Sequence, residues 1–150
     1  MINEVVHIGL TVSDIDRSIA FYRDILGLQF KAEIVMEGPE TDALFQMKNC
    51  KCRVAYLNGS DDIMAPDIEL IQFVDHQANK DQASLNKTSI SEICFKVKDL
   101  DKVYAHLVEN GVDCLSKPQA FDFTPYGFSK SKAIYFRDPD GIILELMEYL

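Results

Sequence analysis

The chain contains a tandem repeat of itself, and this feature limits the fold more than any other. The segment Val6-His7-Ile8-Gly9-Leu10-Thr11-Val12-Ser13-Asp14-Ile15-Asp16 is echoed by Ser91-Glu92-Ile93-Cys94-Phe95-Lys96-Val97-Lys98-Asp99-Leu100-Asp101. The offset, read from His7 to Glu92, is 85, and it makes identical pairs of Ile8 and Ile93, Val12 and Val97, Asp14 and Asp99, and Asp16 and Asp101. The halves also end alike. Asp67-Ile68-Glu69-Leu70-Ile71 corresponds to Ile143-Leu144-Glu145-Leu146-Met147 at an offset of 76, so the middle of the first half is nine residues longer. A duplicated unit folds into the same supersecondary piece twice. Each piece is only about 70 residues, too small to hide its own sheet.

The physical pattern repeats more fully than the letters. Val6, Ile8, Leu10 and Val12 alternate with His7, Gly9 and Thr11, the period of a strand with two different faces. Ile93, Phe95 and Val97 do the same in the second half. Each strand leads into an apolar helical stripe, Ile15, Ile19, Tyr22 and Leu26 in one case and Leu100, Val103, Tyr104, Leu107 and Val108 in the other. Ser13 or Asp14 is placed to cap the first helix, Lys98-Asp99 precedes the second, and Gly27 and Gly111 stand where a helix end wants a left-handed residue. Three strands are expected after each helix: 28–36, 50–57 and 67–74, then 112–116, 133–137 and 142–149. Asp138-Pro139-Asp140-Gly141 marks the turn between the last two. The expected organisation is α+β, a single domain of two βαβββ modules over 3–75 and 89–150, joined by a polar linker over 76–88.

Composition removes other classes. There are 24 acidic against 15 basic residues, a net charge of −9, and no basic run, so nucleic acid is not an expected partner. No apolar run approaches the length of a membrane span, and no signal peptide is visible. The four cysteines, Cys50, Cys52, Cys94 and Cys114, lack the paired C-x2-C knuckles of a structural zinc site and read as free thiols. A cytoplasmic location is expected from these features.

Each half carries one polar residue inside its first strand and one Glu inside its last: His7, Glu69, Glu92 and Glu145. All four fall on the strand face opposite the helix. Carboxylates gathered on one face raise each other's pKa, and burying them unpaired is costly. A divalent cation resolves that conflict, and Glu oxygens with a neutral imidazole nitrogen suit Zn, Ni, Co, Mn or Fe(II), and also Mg. The alternative is that each Glu faces solvent on a half-exposed sheet.

These segments, with Phe21-Tyr22-Arg23-Asp24-Ile25-Leu26-Gly27-Leu28 and Tyr135-Phe136-Arg137-Asp138-Pro139-Asp140-Gly141-Ile142-Ile143-Leu144-Glu145-Leu146, resemble the vicinal oxygen chelate superfamily of glyoxalase I, methylmalonyl-CoA epimerase, bleomycin-resistance proteins, fosfomycin-resistance enzymes and extradiol dioxygenases. The resemblance covers nearly the whole chain. It implies a cupped mixed sheet around a metal, with ligands at His7, Glu69, Glu92 and Glu145, and a homodimer. Glu92 departs from the His usual in metal-binding members. A 2-His-1-carboxylate triad for O₂ chemistry is therefore disfavoured, as is the ligand pattern of the fosfomycin enzymes, and Glu92 is either a ligand or a base.

The implied function is a metal-dependent glyoxalase-type lyase, isomerase or epimerase that moves a proton next to a carbonyl of a small-molecule substrate. Glu145 and Glu69 are the candidate proton carriers. The alternative is a non-catalytic protein of the bleomycin-resistance type, in which an acidic cup would suit a cationic ligand better than an anionic one. Three further residues are candidate substrate contacts. Arg53 either clamps a substrate carboxylate or is a solvated strand charge. Phe123 and Tyr126 belong to an aromatic stretch, 121–128, that either covers the site or forms a dimer contact.

Overall fold

The computed structural model describes residues 5–59, 66–75, 85, 90 and 92–150. It divides into two compact units, Met1–Lys80 and Asp81–Leu150. The linker expected over 76–88 lies outside the described residues apart from Leu85.

In the first unit, strand β1 (His7–Thr11) leads into helix α1 (Ile15–Ala20), which continues as a π-helical turn over Phe21–Ile25. Strand β2 (Gln29–Glu37), helix α2 (Pro39–Phe45), β3 (Lys51–Asn58) and β4 (Asp67–Phe73) follow. The sheet order is β1-β4-β3-β2, with β1 parallel to β4 and the other pairings antiparallel. The second unit has β5 (Ile93–Lys96), α3 (Leu100–Glu109), β6 (Asp113–Cys114), β7 (Gln119–Asp122), a 3-10 turn (Thr124–Tyr126), β8 (Lys130–Arg137) and β9 (Ile143–Tyr149). Its sheet runs β5-β9-β8-β6, with β7 also on β8 and β5 parallel to β9. The fold is α+β, and the strand–helix–strands order appears in both units.

The two units place their helices by the same device. Asp14 is extended and its carboxylate accepts the Arg17 amide at 3.1 Å. Asp99, its repeat partner, accepts the Lys102 amide at 3.0 Å. Gly27 and Gly111 take positive φ of 77° and 69° past the helix ends. Each Asp satisfies an otherwise unpaired amide of the first turn. Replacing either by Ala should cost about 1 kcal/mol, read from the urea midpoint, with Asn retaining most of it.

Three departures from the expected pattern have local causes. The first helix widens into a π turn, with the Leu26 amide bonded to the Phe21 carbonyl at 3.1 Å. The wider turn buries both Phe21 and Tyr22, whose rings meet edge to face at 5.3 Å. Helix α2 was not foreseen. It starts on Pro39 after Gly38, Phe45 packs edge-on against Phe73, and the Asp42 carboxylate receives the Asn49 and Cys50 amides that open β3. The third departure is at the strand expected over 112–116, which is observed over Asp113–Cys114 alone, with an unforeseen strand, β7, beyond it. Cys114 faces Phe136 and Gln119 faces Ala133, so five residues answer three, and the excess around Pro118 bulges out of the ladder.

The register shows the repeat directly. Glu69 pairs with Gly9, and Glu145 with Cys94. Gly9 and Cys94 are 85 apart, the offset that separates His7 from Glu92.

Candidate functional site

Side-chain alternation sorts each sheet into a helix face and an opposite face. In the first unit the helix face carries Ile68, Leu70, Leu57 and Ala55, all buried. Gln72, on the same face, receives the Ile15 amide at 3.2 Å. The opposite face carries Glu69, Tyr56 and Gly9, and His7 by the same alternation. In the second unit the helix face is Leu144, Leu146, Phe136 and Ile134. The opposite face holds Glu145, Tyr135 and Cys94, with Glu92 two residues before Cys94.

The first unit brings His7 and Glu69 together. His7 Nε2 lies 3.3 Å from Glu69 Oε2. The other carboxylate oxygen accepts the Tyr56 hydroxyl at 2.8 Å, and the His7 and Tyr56 rings meet edge-on at 6.3 Å. Glu69 is therefore held at both oxygens. Burial, then the bond to Glu69, push the Tyr56 hydroxyl up to about 12, so it remains a donor at neutral pH. The room for this carboxylate comes from Gly9, since a Cβ there would stand 3.3 Å from Glu69 Oε2.

The second unit brings Glu145 and Glu92 into electrostatic contact. Burial raises the Glu145 carboxyl above its ordinary value. The Cys94 thiol, which bonds to it, opposes the rise, and the neighbouring charge of Glu92 adds to it. Desolvation at the Cys94 sulfur, then its bond to Glu145, push that thiol up to about 12, so it is a neutral donor and not a nucleophile at neutral pH. Tyr135 pairs with Glu145 across the ladder as Tyr56 does with Glu69. Its hydroxyl makes no hydrogen bond to another described residue, and burial followed by the charges of Glu145 and Glu92 raises it. Glu145 and Tyr135 line a cavity of about 270 Å³ walled by Phe121 and Phe123, whose rings stack at 5.6 Å.

The raised Glu145 has a consequence for stability. A carboxyl that binds its proton more tightly when folded stabilises the fold fully below its unfolded value and loses that contribution as pH rises through the folded one. The contribution of Glu145 to the stability of the metal-free protein should thus be lost as pH rises above the group's ordinary value of 4.5. Glu145→Gln should flatten that fall. Urea midpoints measured from about pH 4 to about pH 8 test it, and parallel curves for the two proteins would refute it.

One candidate needs correction, and two are placed. Arg53 lies on the helix face, because Cys52 and Val54 on either side of it point the other way. Its guanidinium is held by Asp16 at 2.8 and 2.9 Å and by Glu33 at 2.6 Å. It is a strut between β3, α1 and β2 and offers no clamp to the Glu69 face. Tyr126 is 78% exposed and is not among the residues lining the cavity that holds Glu145. Phe123 does line the cavity that holds Glu145.

Sequence reading missed the tyrosines. They repeat at an offset of 79, visible when Arg53-Val54-Ala55-Tyr56-Leu57 is set beside Lys132-Ala133-Ile134-Tyr135-Phe136. Among the described residues no group of three His, Cys, Asp or Glu side chains stands ready to hold a metal ion. Two candidate donors converge in each unit. No helix among the described residues is long and apolar enough to cross a membrane.

Comparison with known proteins agrees with the architecture. The chain is 31% identical over 149 residues to the uncharacterized protein YraH of Bacillus subtilis, covering 98% of this chain and 99% of that one. The metallothiol transferase FosB of Staphylococcus epidermidis is 33% identical over 148 residues, covering 97% of this chain and 84% of FosB. A crystal structure of a glyoxalase family protein from Bacillus cereus shares the fold at a TM-score of 0.86 and 20% identity, covering 100% of this chain and 96% of that one. The trypanothione-dependent glyoxalase I of Leishmania major does so at 0.66 and 21%, covering 97% and 86%. Residues 4–146 match the family described as the Glyoxalase/Bleomycin resistance protein/Dioxygenase superfamily. With that match spanning almost the whole chain, and the duplicated strand–helix–strands unit beneath it, the chain belongs to this superfamily.

Proposed function

We propose that the protein is a divalent-metal-dependent enzyme of the glyoxalase type, a lyase, isomerase or epimerase that moves a proton next to a carbonyl of a small metabolite. The supporting observation is the matched pair of buried carboxylates, Glu69 and Glu145, at equivalent register in the two units. Each has a second candidate donor beside it, His7 in the first unit and Glu92 in the second. The proposed ligand set is His7, Glu69, Glu92 and Glu145. Three carboxylates and one imidazole nitrogen fit Zn, Ni, Co, Mn, Fe(II) or Mg. The fit is supported by Glu145 itself, a buried carboxyl whose charged form is disfavoured without a cation nearby.

The metal would supply polarisation of a substrate oxygen. The chain's own part is proton handling. Glu145, facing the cavity and held among the described residues by the Cys94 thiol alone, takes the proton from the carbon beside the carbonyl and returns it. Glu69, gripped by Tyr56 and His7, keeps its position. The relatives named metallothiol transferases support the metal. Thiol transfer is not carried over, because Glu92 stands where His is the usual family ligand. A homodimer in the cytoplasm completes the proposal, with the four free cysteines fitting a reducing compartment.

A metal titration tests the reading. Stability should rise by about 2.7 kcal/mol at a hundredfold excess of the right ion over its dissociation constant, and the rise should shrink in His7→Ala. No stabilisation by any of the six ions would select the second reading, a metal-independent binding protein. That reading is favoured by the apolar cavity beside Glu145.

A further inference from the structure

We infer that the second unit binds an uncharged small molecule with a flat apolar arm and excludes anions. This deepens the proposed function by naming a ligand class, and it rests on that reading only in taking the Glu145 face as the ligand side.

The first observation is the charge of the lining. The cavity of about 270 Å³ takes its polar lining from Glu145, Tyr135, Gln119, Ser116 and Ser131 and is otherwise apolar. Among the described residues no Lys, Arg or His lines it. Its single carboxyl group among the lining residues is that of Glu145. An anion entering here would meet like charge and no donor cation, in a setting where desolvation magnifies the repulsion.

The second observation is shape. A more open recess of about 540 Å³ adjoins the first and shares Phe123, Ser131 and Met147 with it. Phe128 and Tyr149 extend its apolar wall. Together the two compartments lie within the size range of small-molecule sites, about 300–1,000 Å³. The Phe121–Phe123 stack, with its planes 6° apart, presents a flat apolar wall to the inner compartment. A planar arm seats against that wall, where aromatic contact adds to burial. The polar end is left for a carbonyl or hydroxyl: the Tyr135 hydroxyl is an available donor, and Glu145 accepts.

The test uses two probes of nearly equal size, neutral 2-hydroxyacetophenone and anionic benzoylformate. Each is titrated into the full-length, chelator-treated protein by calorimetry. The expected result is saturable binding of the neutral probe, with a dissociation constant at least tenfold below that of benzoylformate. Phe123→Ala should weaken the neutral probe at least fivefold, and Glu145→Gln should narrow the gap between the probes. Phe121→Ala serves in place of Phe123→Ala if circular dichroism shows that variant misfolded. Equal or tighter binding of benzoylformate, absence of saturable binding by the neutral probe, or unchanged binding in the Phe variants would overturn the inference. The metal is absent from this experiment, so failure of the metal titration with retained selectivity would sink the enzyme proposal alone.

Discussion

Glu145→Gln is expected to slow proton exchange beside a substrate carbonyl by about 10²–10⁴-fold, the usual contribution of one placed acid–base group. The substitution is nearly isosteric, and an amide oxygen still accepts the Cys94 thiol, so the fold should persist. What is lost is basicity. Glu145 suits the role because it lines a cavity and has a carboxyl raised by burial. The cavity gives a substrate access to it, and the burial brings its proton affinity nearer to that of a base working at neutral pH. Glu69→Gln should behave differently. Its two oxygens are held by Tyr56 and His7, so its loss should lower metal affinity more than exchange at saturating metal. Glu92→Gln separates its two possible roles. Lost affinity makes it a ligand, whereas retained affinity with lost exchange makes it a base. Deuterium uptake from D₂O at the carbon of an α-hydroxycarbonyl compound, followed by NMR, gives the rate. Wild-type exchange in Glu145→Gln would remove Glu145 from the mechanism.

The faces of the strands were legible because period-two alternation leaves little choice of register: a slip of one residue would turn the charges onto the helix face and the apolar row away from it. Hence His7, Glu69 and Glu145 were placed on the correct face by letters alone. Arg53 was not, since its face depends on which neighbours pack against the helix, and Cys52 and Val54 flank it without marking a side. The charges that hold Arg53, Asp16 and Glu33, lie 37 and 20 residues away in sequence. Tyr56 and Tyr135 were hidden by the uneven spacing of the repeat. The third strand recurs at 79, between the offsets of 85 and 76 that identify the first and last strands. Helix α2 and the segment between β3 and β4 account for the nine extra residues, six before β3 and three after it. Helix α2 itself is seven residues long and buries only Thr41, too little apolar face to announce a helix.

The repeat also fixes where truncation should be most damaging. Leu57 and Phe136 are equivalent, at the 79-residue offset, and face Ile68 and Leu144 on their neighbouring strands. Both are 0% exposed. Removing either side chain deletes apolar contact and leaves a cavity that a strand flanked on both sides cannot collapse to fill. Phe136→Ala should cost about 3–5 kcal/mol, and Leu57→Ala about 2–5 kcal/mol. Those losses are a large share of the whole stability of a domain this size. The fall should appear in the urea midpoint with the slope of the transition preserved, since the surface exposed on unfolding barely changes. The comparison between the two variants carries further information. If the units unfold together, both variants shift one transition. If each unit unfolds by itself, each variant moves its own transition and leaves the other in place, because a cavity in one sheet has no means of weakening a sheet that melts separately.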